Sequence, residues 1–241
     1  MLTAHQPNYL PYPGFFQKIA AADEFLVVDT TQFVKRGPFG WIHRNRIRSR
    51  GGPQWLSLPV LSKGKYVQSI AEAELNPRVD WARKHFKAIE FNYRTAPHWG
   101  RYETDLREIY QRSWSHLAQL NGELIGWFLR QLELDDRPVH YASALRATGK
   151  STAYIVDFCR ELGATEFLSG IHGRDYLEVP LFEQHGIELR FQAYAPPRYA
   201  VDPAFVSIDD ETISYSMLDM MMWVGPRATT WVHEIPELQT A

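Results

Sequence analysis

A chain of 241 residues, 45% hydrophobic and 22% charged, is long enough to bury a substantial core, either as one α/β domain or as two small ones. Its 26 basic and 28 acidic side chains leave a net charge of -2, which excludes general affinity for nucleic acid or an anionic membrane and confines any basic site to a local patch. The single cysteine, Cys159, excludes an intramolecular disulfide framework and a cysteine-rich metal site and fits a reducing cytoplasm. No apolar stretch reaches the ~20 residues of a membrane span, and the first residues carry prolines where a signal peptide would have a basic and then an apolar region.

The chain opens on a short apolar start, Met1 to Ala4, followed by His5-Gln6-Pro7-Asn8-Tyr9-Leu10-Pro11-Tyr12-Pro13-Gly14. Three prolines hold the backbone extended until Gly14 releases it into an apolar run, so the stretch reads as strand, loop, helix. His5, Gln6 and Asn8 would then lie past the carboxyl end of a strand and face the amino end of a helix, where open α/β sheets place ligands and backbone N–H groups favour an anion. Phe25-Leu26-Val27-Val28-Asp29 reads as a buried strand ending on a carboxylate at the same edge. Thr30 to Gly40 reads as a loop that turns at Gly37-Pro38, with Thr31, Gln32, Lys35 and Arg36 available to the crevice.

From Lys35 to Arg50 the chain carries six basic residues and no acid. If Trp41 to Arg48 is a strand, Arg44, Arg46 and Arg48 share one face while His43, Asn45 and Ile47 share the other. Guanidinium forks suit phosphate or carboxylate, so an anionic small molecule is the natural partner. A solvated, charge-blocked edge strand would carry the same pattern. The patch is too short to argue for nucleic acid.

Gln54 to Val60 and Val67 to Ala71 read as further strands around a Lys63-Gly64-Lys65 turn. Asn76-Pro77 reads as a helix start, with the helix running to about Phe91 and Trp81, His85 and Ile89 sharing one packed face. Two more helices cover His98 to Trp114 and Ser115 to Leu134, the second with an apolar stripe of Leu117, Leu120, Leu124, Phe128 and Leu132.

Beyond Asp135 to Pro138 come a strand near Val139 to Ala142 and a helix capped by Ser151. Thr165 to Ser169 is a strand, followed by Gly170-Ile171-His172-Gly173-Arg174-Asp175-Tyr176, a glycine-flanked loop rich in hydrogen-bonding groups. It matches neither a P-loop nor a dinucleotide fingerprint. Leu181 to His185 reads as a short helix, Ile187 to Tyr194 as a strand, and Ser214 to Val224 as a methionine-rich helix whose methionines fill core gaps or, if exposed, make a homodimer contact.

The fold expected is α/β, a mixed and partly parallel sheet with flanking helices. It divides into an amino-terminal block (1–76), a helical segment (77–134) and a second, smaller α/β block (135–241) expected to form one compact unit with the first. The segments HQPNYLPYPGFFQKIAAADEFLVVDTTQF, KRGPFGWIHRNRIR, QWLSLPV, FLSGIHGRDYL and LFEQHGIELRF resemble the WbqC-like proteins over nearly the whole chain. The resemblance marks His5, Gln6, Asn8, Tyr9, Pro11 and Gly14, then Asp29, Gln32, Lys35, Arg44, Asn45 and Arg46, then Ser169, Gly170, Gly173, Arg174, Asp175 and Tyr176. It also implies a bacterial protein tied to surface-polysaccharide biosynthesis.

Two functions follow as expectations. The first is a transferase or ligase acting on an anionic substrate such as a nucleotide-linked amino sugar or an activated acyl or aminoacyl donor. His5 or His43 would supply acid–base or oxyanion-stabilising chemistry, and Asp29 or Asp175 would orient a histidine or accept a proton. Arg44, Arg46 and Arg174 would hold phosphate or carboxylate, with Gln6, Asn8, Tyr9, Gln32, Lys35, Asn45, Ser169, Gly170, Gly173 and Tyr176 completing the binding set. The second is a non-catalytic binding or scaffold protein using the same crevice. No paired histidine spacing marks a metal site, and no motif names a cofactor.

Overall fold

The computed structural model describes residues 1–35, 41–205 and 214–241. In chain order the elements are β1 (Leu2–His5), α1 (Pro13–Ala20), β2 (Glu24–Val27), β3 (Arg44–Ser49), β4 (Gly52–Ser57), α2 (Trp81–Tyr93), α3 (Trp99–Gln111), α4 (Leu117–Gln131) and β5 (Val139–Tyr141). Then follow α5 (Ser151–Glu161), β6 (Glu166–Ser169), α6 (Val179–Gln184), β7 (Glu188–Phe191), α7 (Met217–Val224), α8 (Arg227–His233) and β8 (Gln239–Thr240).

Six strands form one sheet in the order β5-β2-β1-β6-β7-β8, parallel except for β8. The β3–β4 hairpin stands apart as a two-stranded antiparallel sheet. Parallel strands covered on both faces read in sequence as apolar runs, which is why Phe25-Leu26-Val27 shows no alternation. Successive residues nevertheless part company in space. Phe25 and Val27 join the core formed with α1, α4 and the hairpin, whereas Leu26 and Leu2 join the core formed with α5 and α6. Helix α1 lies wholly buried in the first layer, Gln17 donating to the Glu234 carbonyl just past α8.

Strands β1 and β2 of the amino-terminal block lie side by side between β5 and β6 of the carboxyl-terminal block, within one sheet. The α4 stripe is buried as its spacing demands, and the face of Trp81, His85 and Ile89 is buried too. Met217, Met220, Met221 and Met222 are all in the core, so no exposed methionine face exists for a dimer contact.

Several local expectations are corrected. Val67 to Ala71 is not a strand: Ser69 alone bridges to Gln32, and Tyr66 and Val67 project into solvent. At Asn76 the side-chain carbonyl accepts from the Arg78 N–H, so Asn76-Pro77 makes a turn and α2 waits until Trp81. Ser151 caps nothing with its side chain, and its φ of 53° starts α5 abruptly after Lys150. Helix α8 and strand β8 were not foreseen at all, and the expected turn at Gly37-Pro38, with Arg36, lies outside the described residues.

One buried ion pair fastens the hairpin to α7. The Arg48 guanidinium donates to both Asp219 carboxylate oxygens at 3.0–3.2 Å. Tyr93 and Tyr199 donate their hydroxyls to the same carboxylate, at 2.8 and 2.5 Å. Arg48, on the strand face it shares with Arg44 and Arg46, is buried, its guanidinium 4.4 Å from the Tyr215 ring.

Candidate functional site at the strand carboxyl ends

From β1 the chain returns through α1 to β2 on one face of the sheet. From β5 onward the connecting helices α5 and α6 lie on the other. The reversal falls between β1 and β6, paired in the register Thr3 with Leu168. At such a point the loops leaving two neighbouring strands diverge and open a crevice beyond their carboxyl ends. His5 and Gln6 leave β1 there, and Ser169 and Gly170 leave β6 beside them.

The loop from Gln6 to Tyr12 is fastened on several sides. Asn121 of α4 donates to the Pro7 and Ile42 carbonyls, Asn45 of β3 donates to the Leu10 carbonyl, and the Tyr9 N–H donates to Ile42. Leu10 takes a φ of 46°, a left-handed conformation that an apolar residue adopts only when its surroundings impose it.

His5 packs edge-on against Phe15 and its Nδ1 lies 2.9 Å from the Gln6 carbonyl, which fixes the neutral tautomer with the proton on Nδ1 and leaves Nε2 as an acceptor. Burial, then the nearby Lys18 charge, lower its pKa to about 3. Lys18, on α1 and 4% exposed, donates to the Ala4 carbonyl at 2.8 Å. That carbonyl sits where β1 and β6 stop pairing, and burial pulls the ammonium down to about 7.

A lysine whose folded pKa lies below its ordinary 10.5 costs stability where the unfolded chain is protonated and the folded one resists it. The penalty is absent above pH 10.5, grows as pH falls to 7 and is complete below it. Lys18→Met is therefore expected to stabilise the protein at pH 7 by about 1–3 kcal/mol, the charge penalty offset by the lost hydrogen bond. Urea unfolding should show the gain fading by pH 10, and an equal gain at both pH values would contradict the buried charge.

The remaining predicted residues divide by place. Gln6 donates to the Thr31 hydroxyl at 2.8 Å, and Asp29, beyond β2, accepts from the N–H and hydroxyl of Ser143 at 2.9 and 2.7 Å. Asp29 thus lies on the same sheet edge, but its described partner is a serine and not a histidine. Arg46 reaches the edge indirectly: it donates to the Ser214 carbonyl, and the Ser214 hydroxyl bonds Tyr194, whose ring covers Gly14 at the start of α1. A side chain at Gly14 would collide with Tyr194 and Tyr12. Arg44 and Arg46 stack on Trp55, which faces Arg46 across the hairpin.

Other residues lie elsewhere. Tyr9 is fully buried and bonded to His85 and Tyr110, so it builds the core and not the edge. Asn8 and Asn45 are buried. His43 is buried against Phe33, its Nδ1 without a hydrogen-bond partner among the described residues and its pKa lowered to about 4 by burial and by Arg44 and Lys35. Gln32 and Lys35 turn to Tyr66 and Ser62. In the late loop, Gly173 is small because the Ser169 hydroxyl packs where its side chain would be. Arg174 turns away to Gln239 and Thr240 of β8, Asp175 pairs with His172 at the surface, and Tyr176 is exposed.

Sequence reasoning missed Lys18, Tyr194, Tyr141 and Ser143 at this edge. Only Lys18 left a trace, as a lone charge inside the apolar run Phe15-Phe16-Gln17-Lys18-Ile19. Among the described residues no group of three or more histidine, cysteine, aspartate or glutamate side chains is placed to hold a metal.

A parallel sheet reversing direction at its first strand, with polar side chains gathered beyond the reversal, defines a doubly wound α/β protein. Residues 6–231 match the WbqC-like protein family, and the chain belongs to it. It is similar, at 34% identity over 190 residues covering 78% of this chain and 80% of the relative, to "Uncharacterized protein Rv1507c" of Mycobacterium tuberculosis (strain ATCC 25618 / H37Rv). No solved structure matches the chain. Among the described residues no helix is long and apolar enough to cross a membrane.

Proposed function

We propose that the protein is a group-transfer enzyme, of transferase or ligase type, that takes an anionic small molecule such as a nucleotide-linked amino sugar or an activated acyl or aminoacyl donor. The observation that carries this reading is the adjacency of His5 and Ser169-Gly170 where the sheet reverses. In this reading the anion lies toward the amino end of α1 and the Arg46 guanidinium, with Tyr194 moving aside to admit it. His5, with its proton held on Nδ1 by Gln6, presents Nε2 as an acceptor. Its role is to orient the hydrogen of an incoming nucleophile, and the lowered pKa keeps it uncharged at neutral pH. An oxyanion would need an N–H donor, which this tautomer directs elsewhere.

The test is to incubate the protein with a panel of nucleotide sugars and acyl donors and follow new products by mass. His5→Ala is expected to lower kcat by about 10²-fold or more, on the scale of lost positioning. Arg46→Ala is expected chiefly to raise KM for the donor. Turnover unchanged in both variants would refute these roles.

A further inference from the structure

A groove of about 530 Å³ opens on the same edge of the sheet, two strands from His5, between the ends of β2 and β5 and the flank of α4. Its size falls within the range of about 300–1,000 Å³ typical of small-molecule sites. Ala118, Gly122 and Gly126, one helical turn apart, give it a floor without bulk. Asp29 stands at the end of β2, its carboxylate aligned by Ser143, and Gln119, Glu123 and Arg130 rise from α4.

Tyr141, at the end of β5, leaves 41% of its surface open. Its hydroxyl sits so near Gly122 that a Cβ there would lie 3.2 Å from it. Burial and the Asp29 and Glu123 charges keep that phenol protonated, hence a donor.

The groove is lined by two carboxylates, Asp29 and Glu123, and one guanidinium, Arg130. Glu123 is already paired at 3.1 Å with Arg112 outside the lining, which leaves one charge of each sign, so neither a cation nor an anion is selected overall. What remains is carboxylate and amide acceptors, amide and guanidinium donors, and a partly exposed tyrosine beside a floor of small residues. A ring bearing several hydroxyls satisfies that combination: vicinal hydroxyls meet a carboxylate, and the C–H face lies on an aromatic ring.

We propose that this groove is the acceptor site, and that it takes an uncharged polyhydroxylated ring compound held by Asp29, Gln119 and Tyr141. The proposal rests on the group-transfer reading for the word acceptor; the binding itself does not depend on it.

The test uses methyl glucoside and myo-inositol as probes, with propylamine and inorganic phosphate as charged controls, read by saturation-transfer NMR on the full chain. At least one polyol is expected to bind, and Gly122→Leu, which fills the floor beneath Tyr141, is expected to weaken it at least tenfold. Tyr141→Ala, a change at an exposed ring, should weaken it severalfold and serves if the leucine variant melts early. Binding of neither polyol, binding of only a charged control, or polyol binding unchanged in the folded variants would overturn the proposal. Polyol binding without turnover of any donor would defeat the group-transfer reading while leaving the groove assigned.

Discussion

Between pH 6.5 and pH 4 the protein is expected to lose much of its stability, because three imidazoles must be protonated in places that reject the charge. His43 and His85 are each held down to about 4 and His5 to about 3, burial being the largest cause in every case. Below the ordinary value of 6.5 the unfolded chain takes up protons that the folded chain refuses. The stabilisation is therefore full above pH 6.5 and drains away as pH falls toward 4.

At pH 5 each group has given up about 2 kcal/mol, at ~1.4 kcal/mol per pH unit, and together they approach 4–6 kcal/mol once the partial exposure of His5 is allowed for. That is a large share of the ~5–15 kcal/mol that holds a domain together. Calorimetric melting at half-unit steps of pH checks it. A melting temperature constant from pH 7 to pH 5 would mean that the imidazoles are hydrated.

The second large effect lies in the hairpin. Asp219→Ala is expected to cost about 3–5 kcal/mol, since it strands the Arg48 guanidinium in the interior and leaves two tyrosine hydroxyls without their acceptor. Tyr199→Phe removes one neutral donor and should cost only about 1 kcal/mol. Replacing the ion pair as a whole, Arg48→Met with Asp219→Leu, should recover most of the loss, because the penalty belongs to the orphaned charge. Denaturant midpoints of the four proteins decide the matter. A loss from Asp219→Ala no larger than that from Tyr199→Phe would show that water reaches the site.

The parallel strands were legible because burial on both faces writes itself as an apolar run, as in Phe25-Leu26-Val27. The long helices were legible because Leu117, Leu120, Leu124 and Phe128 repeat at the helical period. The opening loop was legible through its prolines, which dictate backbone whatever surrounds them.

What failed was whatever depends on distant partners. Arg48 shares its strand face with Arg44 and Arg46, yet α7, some 170 residues later, closes over it alone. Arg174 was assigned to the crevice because it follows Ser169-Gly170. A two-residue strand at the end of the chain draws it the other way, and so short an element leaves no periodicity to read. Tyr9 carries the same sequence signal as its neighbours Gln6 and Asn8, and only the facing His85 and Tyr110 make it a core residue. Alternation did place His43, Asn45 and Ile47 on one face of the hairpin strand; what it could not show is that this face is the buried one, which takes His43 and Asn45 into the interior.

The anchoring of the Gln6–Tyr12 loop has a thermodynamic consequence. With side chains from α4 and β3 gripping its carbonyls and Leu10 already in its uncommon conformation, the loop would surrender little freedom to the ligand proposed above it. The ordering cost was met during folding, so the affinity of a guest is set by its own contacts and by whatever must be moved out of the way. Under the proposed function the part that has to move is the Tyr194 ring over Gly14, above a loop already held in place by its own hydrogen bonds.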